Sequence, residues 1–446
     1  MKFNNKKIVV IGLWHQGIVA SACFADWGYD VFSIDKNEDK INSLNNGVSP
    51  IYEPGLDSLI KSKHKEKKLI FSTQITRDIS SAGMIMIAHD TPIDDQDISD
   101  ASEVFSVIDE ISPLLTDGVL IHVTSQLKAG SCREIIEKIK KNRPNLSFFV
   151  TYSPENLRLG EAIDRFKSPR LPVVGGENDE SFRIFEDYFV NSKVIWHHCD
   201  LLTAEVTKHA LNAYLATSIT FANELGSICD EINANAHQVA KFLKLEPRIG
   251  PNAILTPGLG FSGGTLARDI QTLRSFGRDY KFETKLFDAV WEINRNQKKL
   301  LINKIMTLFE GNIKGKIISV LGLTYKAGTS TLRRSFSIEI VQILLLEGAY
   351  INATDPLANE KEFCFFKCLS NKNFKFSRNM EECVNDSDMI LLMTPWPEFK
   401  EINFSNFKKN VRKHFVFDTA NILDAEMIKK SGFHYINIGG GNLYGK

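Results

Sequence analysis

Residues 258–269 combine backbone flexibility with polar side chains in a way that suits binding of a small ligand. Four glycines lie within the first seven residues of this stretch, and Thr265 and Asp269 follow them. Glycine has no Cβ and tolerates positive φ angles, so such a loop can bring its N–H groups close to a bound molecule. A helix beginning near Thr265 would add the electrostatics of its N-terminus. We predict a ligand loop that includes Phe261 and Gly264; an ordinary glycine-rich turn is the alternative.

A second glycine-containing turn, near the amino terminus, has the pattern of a dinucleotide site. The apolar run 7–11 predicts a strand, the stretch 18–27 has helical spacing, and 29–34 predicts another strand. Together they form a predicted βαβ unit.

The residues at the ends of this unit favour NAD. Gly12 and Gly17 lie in the turn, whereas Trp14 occupies the position of the middle glycine of the usual fingerprint. Asp35 ends the second strand, where a carboxylate accepts ribose hydroxyls and disfavours the additional phosphate of NADP. We therefore predict NAD as the cofactor, with the Trp14 ring directed away from the phosphates, over the adenine or a neighbouring loop.

Two further loops follow predicted strands at 84–88 and 119–123. They are His89–Pro92 and Thr124–Leu127. In a doubly wound sheet the loops at the carboxyl ends of the strands line the ligand crevice. We assign cofactor contacts in these loops to Thr91, Ser125 and Gln126. Simple turn chemistry is the alternative.

The segment 201–234 predicts one long helix. Small and apolar residues recur in it at spacings of three and four, and it contains no proline. Lys208 and Asn212 are four residues apart, so they emerge from one helix face. Spacing alone leaves open whether this face is functional or an exposed polar stripe.

Over nearly its full length the sequence resembles the UDP-glucose/GDP-mannose dehydrogenase family. The resemblance is carried by the ligand loop and by three further stretches, namely Ser49–Leu56, Ser153–Gly160 and Glu246–Gly250. The family's loop ends in a catalytic cysteine, then two residues, a lysine and an aspartate. Here Thr265 holds the cysteine position, Arg268 holds the lysine position and Asp269 is retained.

The resemblance implies a catalytic set on this chain. Its members are Glu155, Lys208, Asn212, Thr265 and Asp269. In the family the glutamate lies in the active site within a motif of proline, glutamate, an aromatic residue and leucine. Asn156 replaces the aromatic residue here.

The resemblance also implies substrate contacts. In the family the arginine matched by Arg248 reaches the substrate across a dimer interface, and the carboxyl-terminal domain holds the nucleotide through residues matched by Lys326 and Arg333. An ammonium supplies a point charge and a guanidinium a fork of donors, and both suit phosphate oxygens. Phe261 and Gly264 complete the expected substrate set.

Pattern and resemblance together predict an α/β fold with two Rossmann-like doubly wound domains joined by a central long-helix dimerisation domain. The expected domains are an NAD-binding domain at 1–198, a central helical dimerisation and active-site domain at 199–298, and a nucleotide-sugar-binding domain at 314–446. Apolar runs at 316–322, 388–393 and 415–418 supply strands of the last domain. We expect a homodimer.

Composition excludes several classes of protein. Lys plus Arg and Asp plus Glu are both 54 in 446 residues, so no charge excess points to nucleic acid or a membrane surface. No apolar run reaches the roughly 18 residues that span a bilayer. The seven cysteines have no paired spacing and are predicted to be free thiols, which favours the cytoplasm. Neither Cys364 with Cys368 nor the run His197–Cys199 predicts a metal site.

Three functions remain open. In the family a primary alcohol at C6 of a nucleotide sugar is oxidised twice to a carboxylate by two NAD molecules, with the second step passing through a thioester on the cysteine. A threonine hydroxyl is a poor nucleophile unless a base activates it. The first possibility is a dehydrogenase that oxidises the hydrated aldehyde directly, with Glu155 as base. The second is a single oxidation or an epimerase-like cycle with retained NAD. The third is a silent nucleotide-sugar-binding protein, which the retained acid–base residues disfavour.

Overall fold

The computed structural model describes residues 6–441 except 77, 95–96, 155–156 and 262–263. It divides into two compact units, Met1–Leu211 and Asn212–Lys446, which we describe separately. Glu155 and Asn156 lie outside the described residues.

The first unit is an α/β unit built on one sheet. Its strands are β1 (Lys7–Ile11), β2 (Asp30–Ile34), β3 (Leu69–Ser72), β4 (Met84–Ile87), β5 (Val119–Val123), β6 (Phe148–Tyr152), β7 (Val173–Gly176) and β8 (His197–Asp200). Its helices are α1 (His15–Asp26), α2 (Glu38–Asn45), α3 (Leu56–Lys65), α4 (Ser102–Ile111), α5 (Ser131–Asn142), α6 (Ala162–Lys167) and α7 (Asp179–Tyr188).

The strand order is β3-β2-β1-β4-β5-β6-β7-β8, and the pairing among the described residues is parallel except between β6 and β7. Its first six strands have the 3-2-1-4-5-6 order of a Rossmann sheet. Ile8, Val9 and Val10 of β1 are fully buried, as expected for a central strand covered by helices on both faces.

The register aligns the carboxyl ends of the central strands. Ile11 of β1 pairs with Ile34 of β2 and with Ile87 of β4. Consequently the turn after β1, Asp35 after β2 and the loop after β4 leave the sheet at the same edge. This confirms the predicted βαβ unit, and the predicted strands at 84–88 and 119–123 are also present.

A long helix connects the two units. Helix α8 runs from Leu201 to Glu231, which confirms the single helix predicted from the small-residue pattern. The second unit continues with α9 (Ala236–Leu243), α10 (Thr265–Asp279) and α11 (Lys285–Leu308). Helix α11 extends past residue 298, the expected limit of the central domain, and residues 309–316 join it to the next strand.

The remainder of the second unit is another doubly wound sheet. Its elements are β9 (Ile317–Leu321), α12 (Phe336–Leu346), β10 (Tyr350–Thr354), β11 (Phe374–Phe376), α13 (Met380–Val384), β12 (Met389–Leu392), β13 (Phe415–Asp418), α14 (Ala425–Lys430) and β14 (His434–Asn437). The order β11-β10-β9-β12-β13-β14 repeats that of the first sheet, with parallel pairs among the described residues. The predicted α/β class with two Rossmann-like sheets and a long central helix is confirmed.

No helix in the described part of the chain has both the length and the apolar character needed to cross a bilayer.

Candidate functional site

The turn between β1 and α1 needs glycine at both of its fingerprint positions. Gly12 has φ +94°, and a Cβ there would lie 2.5 Å from the backbone nitrogen of His89. A Cβ on Gly17 would lie 1.9 Å from the carbonyl oxygen of Gly12. Contacts this short exclude any side chain, so these two glycines allow strand, turn and helix to pack closely.

Trp14 fits the same turn without backbone strain. It has φ −98° and ψ −164°, an extended conformation open to any residue. Its side chain is 47% exposed, and the ammonium of Lys40 lies 5.9 Å from the ring centre. The large side chain therefore leaves the turn intact and lies at the surface. The Lys40 ammonium near its ring also pairs with Asp35.

Asp35 closes the turn from the end of β2. Its Oδ2 accepts hydrogen bonds from the N–H of Leu13 at 2.8 Å and from Lys40 Nζ at 2.6 Å, and its Oδ1 accepts from the N–H of Asn37 at 3.0 Å. Lys40 was not predicted from the sequence, although its place five residues after Asp35 is a local signal.

The loops after β4 and β5 are joined to each other by hydroxyl groups. Thr91 Oγ1 donates to the carbonyl oxygen of Gln126 at 3.0 Å, and Ser125 Oγ donates to that of Ile87 at 3.4 Å. These three predicted cofactor residues are thus brought together at the carboxyl edge of the sheet. The structure gives the two hydroxyls a positioning role, and cofactor contact by these residues stays a prediction.

His89 is a buried residue of this edge that the sequence analysis did not select. Burial is the main cause that lowers the pKa of its imidazole. Its Nδ1 is buried and has no hydrogen-bond partner among the described residues. A neutral imidazole beside the Gly12 turn therefore has one ring nitrogen without a hydrogen bond to the described residues. Its place directly after a central strand was the available signal.

Two buried glutamates fix loops of the first unit through backbone N–H groups. Glu53 accepts from Gly160 at 2.9 Å and Ala162 at 2.7 Å, which holds the segment that follows Glu155. Glu205 of α8 accepts from Gly130 at 2.6 Å and from Cys132 at 2.8 Å at the start of α5. Neither carboxylate was predicted to bind a loop. Their N–H partners are distant in sequence, so no local pattern indicates them.

The central helices carry a buried polar pair. Asn212 of α8 donates from its side-chain amide to the carboxylate of Asp269 on α10, and both side chains are buried. Thr265, the first residue of α10, is exposed and lies one helical turn before Asp269. Lys208 lies one turn before Asn212 on α8 and is buried. The structure thus joins two members of the predicted catalytic set, Asn212 and Asp269, and the catalytic roles stay predictions.

The ligand loop is held by three asparagine side chains. Asn223 accepts from the N–H of Gly258 at 2.7 Å, and Asn421 donates to the carbonyl oxygen of Pro257 at 2.9 Å. Asn294 accepts from the N–H of Phe261 at 2.9 Å and donates to its carbonyl at 3.0 Å.

Inside the loop, Gly260 has φ +92°, and a Cβ there would lie 2.4 Å from Asn294 Oδ1. The Phe261 ring is buried against helices of the same unit. The loop is therefore built on fixed supports, and Gly264 precedes α10 as its N-cap residue.

The cations expected to bind the diphosphate, and the arginine expected to reach the substrate across a dimer interface, are exposed. Arg248 is 88% exposed at its side chain and pairs with Glu246 at 2.7 Å. Lys326 and Arg333 lie between β9 and α12, and both are exposed. Two cations at the carboxyl end of a central strand suit a diphosphate. Binding of the diphosphate by Lys326 and Arg333 stays a prediction, and the position of the two residues is consistent with it.

The described residues contain no group of three His, Cys, Asp or Glu side chains placed to hold a metal ion. The seven cysteines are unpaired thiols.

Comparison with known proteins gives matches along the chain. Models of the UDP-glucose/GDP-mannose dehydrogenase family match its NAD binding domain at residues 6–192, its central domain at 202–296 and its UDP binding domain at 319–425. UDP-glucose 6-dehydrogenase of Rickettsia felis is 35% identical over 435 residues, which cover 97% of this chain and 96% of the relative.

Two further proteins are similar over the same length. UDP-glucose 6-dehydrogenase TuaD of Bacillus subtilis is 32% identical, with 97% of this chain and 93% of the relative covered. The solved structure of the UDP-N-acetyl-mannosamine dehydrogenase Cap5O from Staphylococcus aureus is 25% identical with a TM-score of 0.83, covering 98% of this chain and all of the other.

Proposed function

The chain belongs to the UDP-glucose/GDP-mannose dehydrogenase family, and on that premise we propose that it oxidises a hydroxyl of a UDP-sugar, with UDP-glucose as first candidate. It is an NAD-dependent oxidoreductase with an NAD binding domain and a UDP binding domain. The observation that carries the proposed oxidation is the buried Asn212–Asp269 pair, in which Asp269 lies in the second turn of α10.

The proposed chemistry uses these side chains for positioning and charge. When NAD is bound, its nicotinamide accepts a hydride. The Asp269 carboxylate holds the Asn212 amide in one orientation, so the amide can align the reacting hydroxyl without reorganisation. The Lys208 ammonium, one turn away on α8, supplies the positive charge that stabilises a developing alkoxide. Lys326 and Arg333 hold the diphosphate.

A second candidate function is a single oxidation or a redox-neutral epimerisation. Thr265 favours it, because a hydroxyl, which is a poor nucleophile unless a base activates it, stands where the family's covalent step uses a thiol. The acid-forming alternative needs direct oxidation of the hydrated aldehyde, with Glu155 as base.

We also propose that the protein is a homodimer and that it is located in the cytoplasm. Helix α8 exposes Tyr214, Phe221 and Ile228 at 71%, 52% and 52%. Their spacing of seven residues gives one apolar stripe, which suits helix-to-helix contact with a second copy. Free thiols at every cysteine favour a reducing compartment.

The test is turnover with a panel of UDP-, GDP- and CDP-sugars, with NADH formation recorded and products identified by mass. UDP-glucose should give the highest turnover, and an acid product would select the first function over the second. D269N should lower turnover about 100-fold, because it removes the charge that orients Asn212. D279N, at the exposed end of the same helix, is the control and should leave turnover unchanged. Failure of every UDP-sugar to react would refute the proposal.

A further inference from the structure

Pro257, the residue before the ligand loop, is enclosed by two glycines and one asparagine of the second unit. Its carbonyl oxygen accepts a hydrogen bond from Asn421 Nδ2 at 2.9 Å. A Cβ on Gly226 of α8 would lie 2.6 Å from the Pro257 Cβ, and one on Gly439, after β14, would lie 2.6 Å from its Cγ. The proline ring is therefore packed on two sides, and because proline has no N–H, its only backbone hydrogen-bonding group is the carbonyl that Asn421 binds.

Asn421 is itself held in one orientation. Its backbone has φ +56°, a left-handed conformation that asparagine adopts more readily than most residues. Asp418, the last residue of β13, fixes the backbone beside it by accepting from the N–H of Ile422 at 2.8 Å. The side-chain Oδ1 of Asn421 accepts from Asn437 Nδ2 at 2.7 Å. One end of the amide is thus bound to the second sheet, and the other end donates to Pro257.

The segment that contains Asn421 leaves the second sheet at the edge where the diphosphate is expected to bind. Leu321 of β9 pairs with Leu392 of β12, and Leu392 pairs with Asp418 of β13. Because these strands are parallel, the turn after β9 opens at the same edge as the segment after Asp418. A side chain of the nucleotide edge is therefore hydrogen-bonded to the residue at which the ligand loop begins.

We propose that Asn421 is a positioning residue that couples nucleotide binding to the ligand loop. The inference rests on the proposed function, in which the second sheet holds the diphosphate and the loop contacts the sugar. A nucleotide bound at the edge restrains the segment after Asp418, and the Asn421 amide passes this restraint to Pro257. The loop is then ordered when the sugar arrives, so Asn421 acts on alignment of the sugar and not on affinity for the nucleotide.

Two amides of the loop report whether it is closed. The N–H of Gly258 donates to Asn223 at 2.7 Å and that of Phe261 donates to Asn294 at 2.9 Å, so both exchange with deuterium when the loop opens. The test is the exchange rate of these amides in the full chain, with UDP alone as the probe. In the native protein, saturating UDP should slow their exchange at least about fivefold, an effect of the size of one hydrogen bond.

Two variants remove the donor and keep the backbone conformation. N421G retains the left-handed φ at no steric cost, and N421D retains the shape of the side chain but directs an oxygen at the Pro257 carbonyl. Both should lose the protection by UDP. With a UDP-sugar that reacts, both should lower kcat at least about tenfold, while calorimetric affinity for UDP stays within about twofold of the native value.

The matched control is N233G. Asn233 also has a left-handed backbone, with φ +58°, and it is exposed at the end of α8. This variant should keep the protection by UDP and the native turnover. Thermal unfolding of each variant establishes that it is folded.

Loop exchange that does not respond to UDP in the native protein would overturn the proposal, as would a response that persists in N421G or N421D. A larger loss of UDP affinity in N421G would also overturn it, because Asn421 would then be a nucleotide contact. Since the exchange experiment contains no sugar, a chain that shows these shifts and oxidises no UDP-sugar refutes the proposed substrate and leaves the role of Asn421 intact.

Discussion

Thr265 is the residue at which we expect the chain to depart from its family's chemistry. It is exposed at the first position of α10, one turn from the buried Asp269. A hydroxyl is a weak nucleophile without an activating base, whereas hydride transfer needs only alignment, a base and charge stabilisation. With a reacting UDP-sugar, the native protein should therefore accumulate no covalent sugar adduct.

Intact-protein mass spectrometry during turnover measures this outcome. T265C is the matched variant, since it keeps the side chain small and introduces a thiol at the same position. An adduct that appears in T265C and is absent from the native chain supports the prediction. A stable substrate-derived adduct on native Thr265 would show that the hydroxyl serves as nucleophile.

Arg333 is the second residue whose role can be isolated. It is exposed between β9 and α12, near Lys326, and it is expected to bind the diphosphate. R333A should weaken binding of UDP by about 1.5–3 kcal/mol, the range of a hydrogen bond to a charged group. Calorimetric titration with UDP measures the loss. R412A, which removes an exposed arginine elsewhere in the same unit, should leave affinity unchanged, and equal affinity in R333A would move the site elsewhere.

At the scale of an element, strand β5 contains a histidine whose protonation should affect the stability of the fold. His122 is fully buried against Phe185, its Nδ1 lies 3.0 Å from Thr151 Oγ1, and burial lowers its pKa to about 3. An unfolded histidine titrates near about 6.5, so between these values the unfolded chain binds a proton that the native chain does not. Stability from this group is complete above the unfolded pKa and is lost as pH falls toward the folded one.

Between about pH 7 and about pH 5 this group should therefore remove about 2 kcal/mol from the unfolding free energy. H122L should lose correspondingly less stability over the same interval, because it carries no titrating group. Denaturant unfolding at both pH values gives the comparison, with H198Q, an exposed histidine of the same sheet, as control. Equal losses in the native chain and H122L would contradict a buried neutral imidazole.

At the scale of the whole molecule, the exposed stripe of α8 predicts assembly. Tyr214, Phe221 and Ile228 present apolar surface along one face of a helix, which a second copy would remove from water. F221E would place a charge in that contact, so it should shift the protein from twice the mass of one chain to a single chain.

Sedimentation measures the mass. F282E changes another exposed phenylalanine, outside α8, and should remain dimeric. Turnover of F221E should fall together with the dimer if Arg248 acts across the interface. A native protein that sediments as one chain would contradict the assembly.

The sequence by itself determined the elements and the positions next to them. β-Branched runs identified the central strands, Gly12 and Asp35 marked the ends of the first βαβ unit, and small-residue spacing predicted α8. These signals are local, because strand, turn and helix preferences act over a few neighbouring residues. Family motifs added candidate roles for Lys208, Asn212 and Asp269, of which the structure pairs the last two.

Only the tertiary structure decided which polar groups hold the loops in place. Glu53 binds the N–H of Gly160, 107 residues away, and Asn294 binds Phe261 across 33 residues. The physical reason is that a buried N–H group needs an acceptor but no particular residue at a fixed spacing, so the acceptor can come from any segment that the fold brings near.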